Sequence, residues 1–246
     1  MSIVRKKQRL EEILIEKGLA TDKKEAFIMV TEGNVLVDGV KMVSPAQMVK
    51  PDAEIKIRGH LQYVGRGALK LAGALEKFGK DVSGKICADI GSATGGFTEV
   101  LLQHGAKNVY AIDTAQGKLA PKLRDDPRVF VMEGMDVRDI KELPEKIDIA
   151  VIDISLIPLE GILPSIKKFL KEGGEVIALF KPQYQTRNPK LLRHGIIKDD
   201  AARQGLLDDF VVWAKDSGWD IIGQMVSPIK GGEGNTEFLL HLKQKL

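Results

Sequence analysis

The run Lys85-Ile86-Cys87-Ala88-Asp89-Ile90 stops at Gly91-Ser92-Ala93-Thr94-Gly95-Gly96, and a helix-like run follows from Phe97 to His104. A strand, a glycine turn and a helix start in that order commit the surrounding chain to an α/β sheet. Glycines let the backbone approach a ligand with no Cβ in the way, and the unpaired N–H groups of a helix start point at it. A dinucleotide fingerprint would need glycine at position 93, where this chain has Ala93. Val109-Tyr110-Ala111-Ile112-Asp113 reads as a second strand ending in an acid, placed to accept two hydrogen bonds from a ribose diol. A nucleoside cofactor is the expectation. A plain glycine turn with a solvated Asp113 is the alternative.

The sheet predicted around this turn does not use the whole chain. With 246 residues there is room for one large domain, or for a medium and a small one. Residues 1–58 form a first unit. Leu10, Ile13, Leu14 and Ile15 give a short helical stripe closed by Gly18, and Thr21 or Asp22 caps a second helix that ends at Gly33. Asn34 to Val40 is a strand entering an Asp38-Gly39 turn, and Glu54 to Ile57 is a later strand. Arg5, Lys6, Lys7 and Arg9 crowd the first ten residues, and Lys23 and Lys24 open the second helix, so one face is expected to meet phosphates. Phe27 is the unit's one aromatic, so base stacking is not the expected mode.

Residues 59–65 are expected to link this unit to residues 66–246. There a helix runs to Phe78, with Leu69, Ala72 and Leu75 to Phe78 on its apolar face. Further strands are expected at 128–132, 147–153, 175–180, 220–225 and 237–242, with helices at 159–170 and 199–215. Alternating elements with apolar strands mean a mostly parallel sheet covered on both faces. The last two strands are joined by a loop too short for a crossover, so they should be antiparallel.

Ligands of such sheets bind beyond the strand ends, where Asp89, Asp113, Asp136, Asp153 and Lys181 fall. Lys181 follows an apolar strand and precedes Pro182. Apolar surroundings would favour its neutral amine, a competent general base that Asp153 could orient. Together they suggest deprotonation of a weakly acidic hydroxyl followed by attack on a methyl group.

Function classes are narrowed by what the chain lacks. The single Cys87 allows no intramolecular disulfide, four scattered histidines show no metal spacing, and no apolar run approaches the ~20 residues of a spanning helix. A cytoplasmic monomer with no metal and no membrane partner is expected.

Asp89-x-Gly91-x-x-x-Gly95-Gly96 resembles the first motif of S-adenosylmethionine-dependent methyltransferases, and the first unit resembles an S4 RNA-binding domain. Tyr63 to Leu71, Gly91 to Thr98, Asp153-Ile154-Ser155, Lys181-Pro182-Gln183 and Gly234-Asn235-Thr236-Glu237 are similar to the TlyA family. That family joins an S4 domain to an FtsJ-like domain and is described as methylating ribosomal RNA at cytidine 2′-oxygens, and historically as haemolysins. The resemblance implies an α/β fold: a Rossmann-like methyltransferase domain with a small N-terminal α+β S4 domain. It implies S-adenosyl-L-methionine as cofactor, and ribosomal RNA or ribosomal subunits as partners. It carries a Lys-Asp-Lys-Glu tetrad onto Lys70, Asp153, Lys181 and Glu237, with Lys181 as base. It places Asp89, Gly91, Gly95, Gly96, Phe97, Asp113, Asp136 and Asp153 around the cofactor, and Arg66 with the RNA-binding residues. The chain departs from the family at Asp136, where asparagine is common, and at Gln185, where glutamate is usual. A membrane-active haemolysin and an RNA-binding protein with a vestigial cofactor pocket are the competing expectations.

Overall fold

The computed structural model describes residues 7–20, 22–31, 33–57, 63–232 and 234–245. The chain divides into two compact units, Met1–Gly65 and Arg66–Leu246. Arg5 and Lys6, the Thr21 cap and most of the expected linker lie outside the described residues.

In the first unit, β1 (Gln8–Arg9) leads directly into α1 (Leu10–Glu16), and α2 (Lys23–Thr31) follows. Leu10, Ile13 and Leu14, spaced to share one helical face, are buried against Ala26, Met29 and Val30 of α2. Asp22 caps α2 by accepting a hydrogen bond from Glu25 N–H at 2.7 Å. Strands β2 (Val35–Val37), β3 (Val40–Lys41), β4 (Met48–Val49) and β5 (Ile55–Ile57) complete the unit. β2 is the centre of an antiparallel sheet ordered β3-β2-β5, and β4 pairs with β1. The Asp38-Gly39 turn has φ of 50° and 79°, the left-handed pair that a two-residue hairpin requires.

The second unit begins with α3 (Ala68–Phe78). Its buried face is Ala68, Lys70, Leu71, Ala74 and Leu75. The expected face holds at Leu75 but not at Leu69, which points to solvent because the buried stripe passes through Lys70, which has a partner inside the protein. Then come β6 (Ile86–Ile90), α4 (Gly96–Gln103), β7 (Asn108–Asp113), α5 (Pro121–Arg124), β8 (Val129–Glu133) and β9 (Ile147–Ile152). The helix expected over 159–170 is broken into one 3-10 turn, Leu159–Gly161, and α6 (Leu163–Lys167). Pro164 lacks the amide donor that a continuous helix would need there, so it stands in the first turn of a new one. Leu170 already belongs to β10 (Leu170–Phe180), and Gly173-Gly174 sit where its register with β9 shifts instead of ending a helix. The chain finishes with α7 (Pro182–Gln185), α8 (Asp200–Asp216, capped by Asp199), β11 (Trp219–Val226) and β12 (Phe238–Gln244).

The sheet order is β11-β12-β10-β9-β6-β7-β8. β10, β9, β6, β7 and β8 are parallel; β12 is antiparallel to both of its neighbours, so the short β11–β12 connection makes a hairpin as expected. From β6 the chain winds outward through β7 and β8, then returns to β9 on the other side of β6. The β6/β9 junction is therefore the switch point where a crevice opens beyond the strand ends.

Candidate active site

At the end of β6 the chain turns through Gly91, Ala93 and Gly95, all with positive φ. A Cβ on Gly91 would stand 2.4 Å from the Asp153 carbonyl oxygen, so the β6 and β9 ends meet this closely only through glycine. Gly91→Ala is expected to cost about 2 kcal/mol or more of stability and to weaken cofactor binding. Thermal melts beside calorimetric titration with S-adenosylmethionine check both effects.

The strand-end acids separate into distinct roles. Asp113 lines a cavity of about 320 Å³ with Gly91, Asp136 and Asp153. Its two oxygens accept from Ala93 N–H at 2.8 Å and Ala115 N–H at 2.7 Å, so it also fixes the turn beside it. Asp136 is held by a two-pronged bond to Arg138, whose guanidinium keeps its carboxyl below the usual range. Asp89 differs from the expectation of a ligand-facing acid. It is fully buried inside β6, is not among the cavity-lining residues, and accepts from Thr98 N–H and Oγ1–H at 2.8 and 2.7 Å. Burial pushes its carboxyl up to about 7 against those hydrogen bonds, and the Asp153 charge adds to the rise. Gly95, Gly96 and Phe97 likewise build the turn without lining the cavity.

The loop after β7 is fastened by a residue that the sequence reading missed. Glu133 accepts backbone N–H bonds from Gly117, Lys118 and Leu119 and a side-chain bond from Arg124. Burial opposes its ionised form, yet these donors outweigh burial and hold its carboxyl at about 2. A folded value below the unfolded value of about 4.5 means the stabilisation is present above that pH and is lost as pH falls through about 2. In denaturant titrations, wild type should lose about 2 kcal/mol more than Glu133→Gln between pH 5 and 2. Equal losses would remove this role.

The tetrad forms two ion pairs. Lys181 Nζ lies 2.6 Å from Asp153 Oδ1, and donates to Ser155 Oγ at 3.0 Å. Lys70 Nζ lies 2.7 Å from Glu237 Oε2, and both side chains are buried. The sheet register explains the convergence. Phe180 stands opposite Phe238, so Lys181 and Glu237, each one residue beyond that pair, lie at the same end of β10 and β12. Gln183 Nε2 donates to Glu237 Oε1 at 3.5 Å. On the other side, a Cβ at Gly67 would be 3.7 Å from Asp153 Oδ2, and Gly67 O accepts from Lys70 N–H as α3 begins. Ser155, Gln183 and Tyr184, whose ring centroid is 5.9 Å from Lys181 Nζ, carried no role in the sequence reading. The first two sit in motifs already quoted, at two residues past Asp153 and Lys181.

In the first unit, the residues expected to meet phosphates are partly engaged with acid. Arg9 and Lys23 both approach Glu11, at 3.4 and 3.9 Å, so they stand together, with Lys7 exposed. Lys24 is half-buried, and Arg66 belongs to the second unit. Phe27 is 52% exposed. Among the described residues no group of three or more histidine, cysteine or acidic side chains could hold a metal, and no helix is long and apolar enough to cross a membrane.

Residues 63–244 match the model of the FtsJ-like methyltransferase family. The chain belongs to that family. It is 38% identical over 236 residues to Hemolysin A of Brachyspira hyodysenteriae, covering 95% of this chain and 98% of that one. It is 34% identical over 242 residues to the 16S/23S rRNA (cytidine-2′-O)-methyltransferase TlyA of Mycobacterium tuberculosis, covering 97% and 90%. A solved structure, of a provisionally named hemolysin from Streptococcus thermophilus, superposes with a TM-score of 0.77 at 37% identity, covering 98% of this chain and 89% of that one. The strand-end chemistry thus belongs to a methyltransferase, a Rossmann-type sheet whose cavity and ion pairs sit at its switch point.

Proposed function

We propose that this enzyme methylates the ribose 2′-hydroxyl of a cytidine in ribosomal RNA, with S-adenosyl-L-methionine as cofactor. The observation that carries the reading is the Lys181–Asp153 pair, placed where β9 and β10 end and beside the cavity that Asp153 also lines. The residues present suit the cofactor. Gly91 lets the ends of β6 and β9 meet beside the cavity, Asp113 keeps an unused lone pair on each oxygen for a ribose diol, and Asp136 borders the same cavity. Ser92 Oγ is buried at that turn with no hydrogen bond among the described residues, as expected of a group that completes its bonding with a polar ligand. When bound, the cofactor supplies an electrophilic sulfonium methyl.

Lys181 in its amine form takes the proton of the 2′-hydroxyl, and Asp153 and Ser155 hold its nitrogen in place. Lys70 and Glu237 form the neighbouring wall, fixed by their own ion pair and by Gln183. Most of the remaining requirement is positional, since methyl transfer needs an in-line approach of the oxygen.

The test is transfer of labelled methyl to unmodified ribosomal subunits. The reading requires label in RNA as an alkali-stable 2′-O-methylcytidine; label elsewhere, or none despite cofactor binding, would sink it.

The first unit is read as an S4-like RNA-binding domain, supported by Lys7, Arg9, Lys23 and Lys24 near its two helices. Changing these four to glutamine is expected to weaken RNA binding by about tenfold or more at moderate salt, and to flatten its salt dependence. Cofactor affinity should stay the same. Unchanged RNA affinity would remove the role given to this unit.

A further inference from the structure

A second cavity, of about 400 Å³, lies outside the cofactor site, between the 3-10 turn after β9, α7 and α8. Pro158, Glu160, Gly161, Gln185, Arg187 and Trp213 line it. Three of these side chains have complementary chemistry. Trp213 is half-buried, packed at 5.7 Å on Phe210, and offers a fixed aromatic ring. Glu160 brings a carboxylate whose Oε2 is enclosed and accepts no hydrogen bond from the described residues. Arg187 is exposed at the rim and opens the stretch 186–198, which also carries Lys190, Arg193 and Lys198 and contains no acid.

We infer that this cavity is a nucleobase subsite for a nucleotide of the RNA substrate other than the one methylated, selective for a base that presents amino and imino donors, guanine foremost. A π-face for stacking, a carboxylate acceptor and a cationic rim match the three parts of such a nucleotide: ring, donor edge and phosphate. An under-bonded carboxylate in a cavity favours donors and rejects carbonyl oxygens. Guanine N1–H and N2–H form parallel donors for the two oxygens, and a turn of the carboxylate about its last bond, a soft torsion, brings both to the ligand. Uracil presents two carbonyl oxygens beside its single imino donor and so fits poorly.

The stretch that carries the cations is held in place. Asn235 Oδ1 accepts from Ile197 N–H at 3.1 Å and Asn235 Nδ2 donates to Gly195 O at 2.9 Å, while Ile197 is fully buried. The cavity is also coupled to the catalytic cluster. Gln185 Oε1 accepts from Leu159 N–H at 3.0 Å, and its Nε2 donates to the Lys181 carbonyl at 3.4 Å. A base seated against the 3-10 turn would thus bear on the backbone of the proposed base, Lys181.

The choice of RNA as ligand rests on the function proposed above; the test is binding alone, so that the two can fail separately. The full chain, with S-adenosylhomocysteine saturating the cofactor cavity, is titrated with guanosine 5′-monophosphate and with uridine 5′-monophosphate. Tryptophan fluorescence is the readout, calorimetry repeats it, and Trp213→Phe serves as the fluorescence reference. Guanosine monophosphate should quench Trp213 saturably and bind about tenfold tighter than uridine monophosphate. Glu160→Gln should erase that preference, and Arg187→Gln should weaken both nucleotides. No saturable binding, equal affinities, or an undiminished preference in Glu160→Gln would overturn the subsite. Guanosine monophosphate binding without methyl transfer to any RNA would leave the subsite standing and sink the proposed reaction. Methyl transfer without the nucleotide preference would do the reverse.

Discussion

Lys181→Ala should lower methyl transfer to ribosomal RNA by about 10²–10⁴-fold, the range expected when a positioned general base is removed. Its side chain is buried, ion-paired to Asp153 and bonded to Ser155, so its loss removes the basic nitrogen at the junction of cavity and cluster. The cavity does not include Lys181, and S-adenosylmethionine affinity should therefore change little. Single-turnover rates with label in RNA, beside calorimetric titration of the cofactor, separate the two effects. Equal losses of binding and rate would mean that Lys181 holds the site together instead of moving a proton. A rate within threefold or so of wild type would remove it as the base.

The largest stability effect is expected at the other pair. Glu237→Ala leaves the buried Lys70 ammonium without its carboxylate at 2.7 Å, and breaking a buried pair in this way costs about 3–5 kcal/mol. Lys70→Met removes the charge at the opposite end and strands Glu237, with a similar cost. Combining Lys70→Met with Glu237→Leu should recover much of the loss, because two apolar side chains leave no uncompensated charge. Denaturant unfolding of the three variants checks this. Additive losses in the double variant would show that the two residues act separately. Activity should be absent in all three if the pair forms part of the ribose-binding wall.

How far the residues announced this architecture depends on the distance over which each feature is decided. The turn from Asp89 to Phe97 is local: its glycines, its flanking apolar strand and the acid ending the next strand can be read within thirty residues. The strand-end positions of Asp113, Asp153 and Lys181 follow from the same alternation, and the short β11–β12 connection dictates a hairpin. The helix expected at 159–170 failed because Pro164 and the buried Phe169-Leu170 pair outweigh apolar spacing once β9 is available as a neighbour. The face of α3 failed at Leu69 for another reason. Lys70 is buried only because Glu237 lies 167 positions away, and periodicity counts lysine as a surface residue. Asp89 was legible as an acid at the turn, but the Thr98 bonds that turn it inward depend on the start of α4. Nothing in the spacing of Gln185 and Glu160 announced a second cavity, since its walls come from three separate segments.

The sheet order also has a temporal side. Every residue lining the cavity proposed for the cofactor falls between Ile90 and Ile162, whereas the ion-paired cluster waits for Glu237, just before a strand inserted between β10 and β11. Because a domain generally folds as a unit, the catalytic wall is completed only when the last strand takes its interior slot. A chain still short of residue 237 thus carries every cavity-lining residue but lacks the second ion pair.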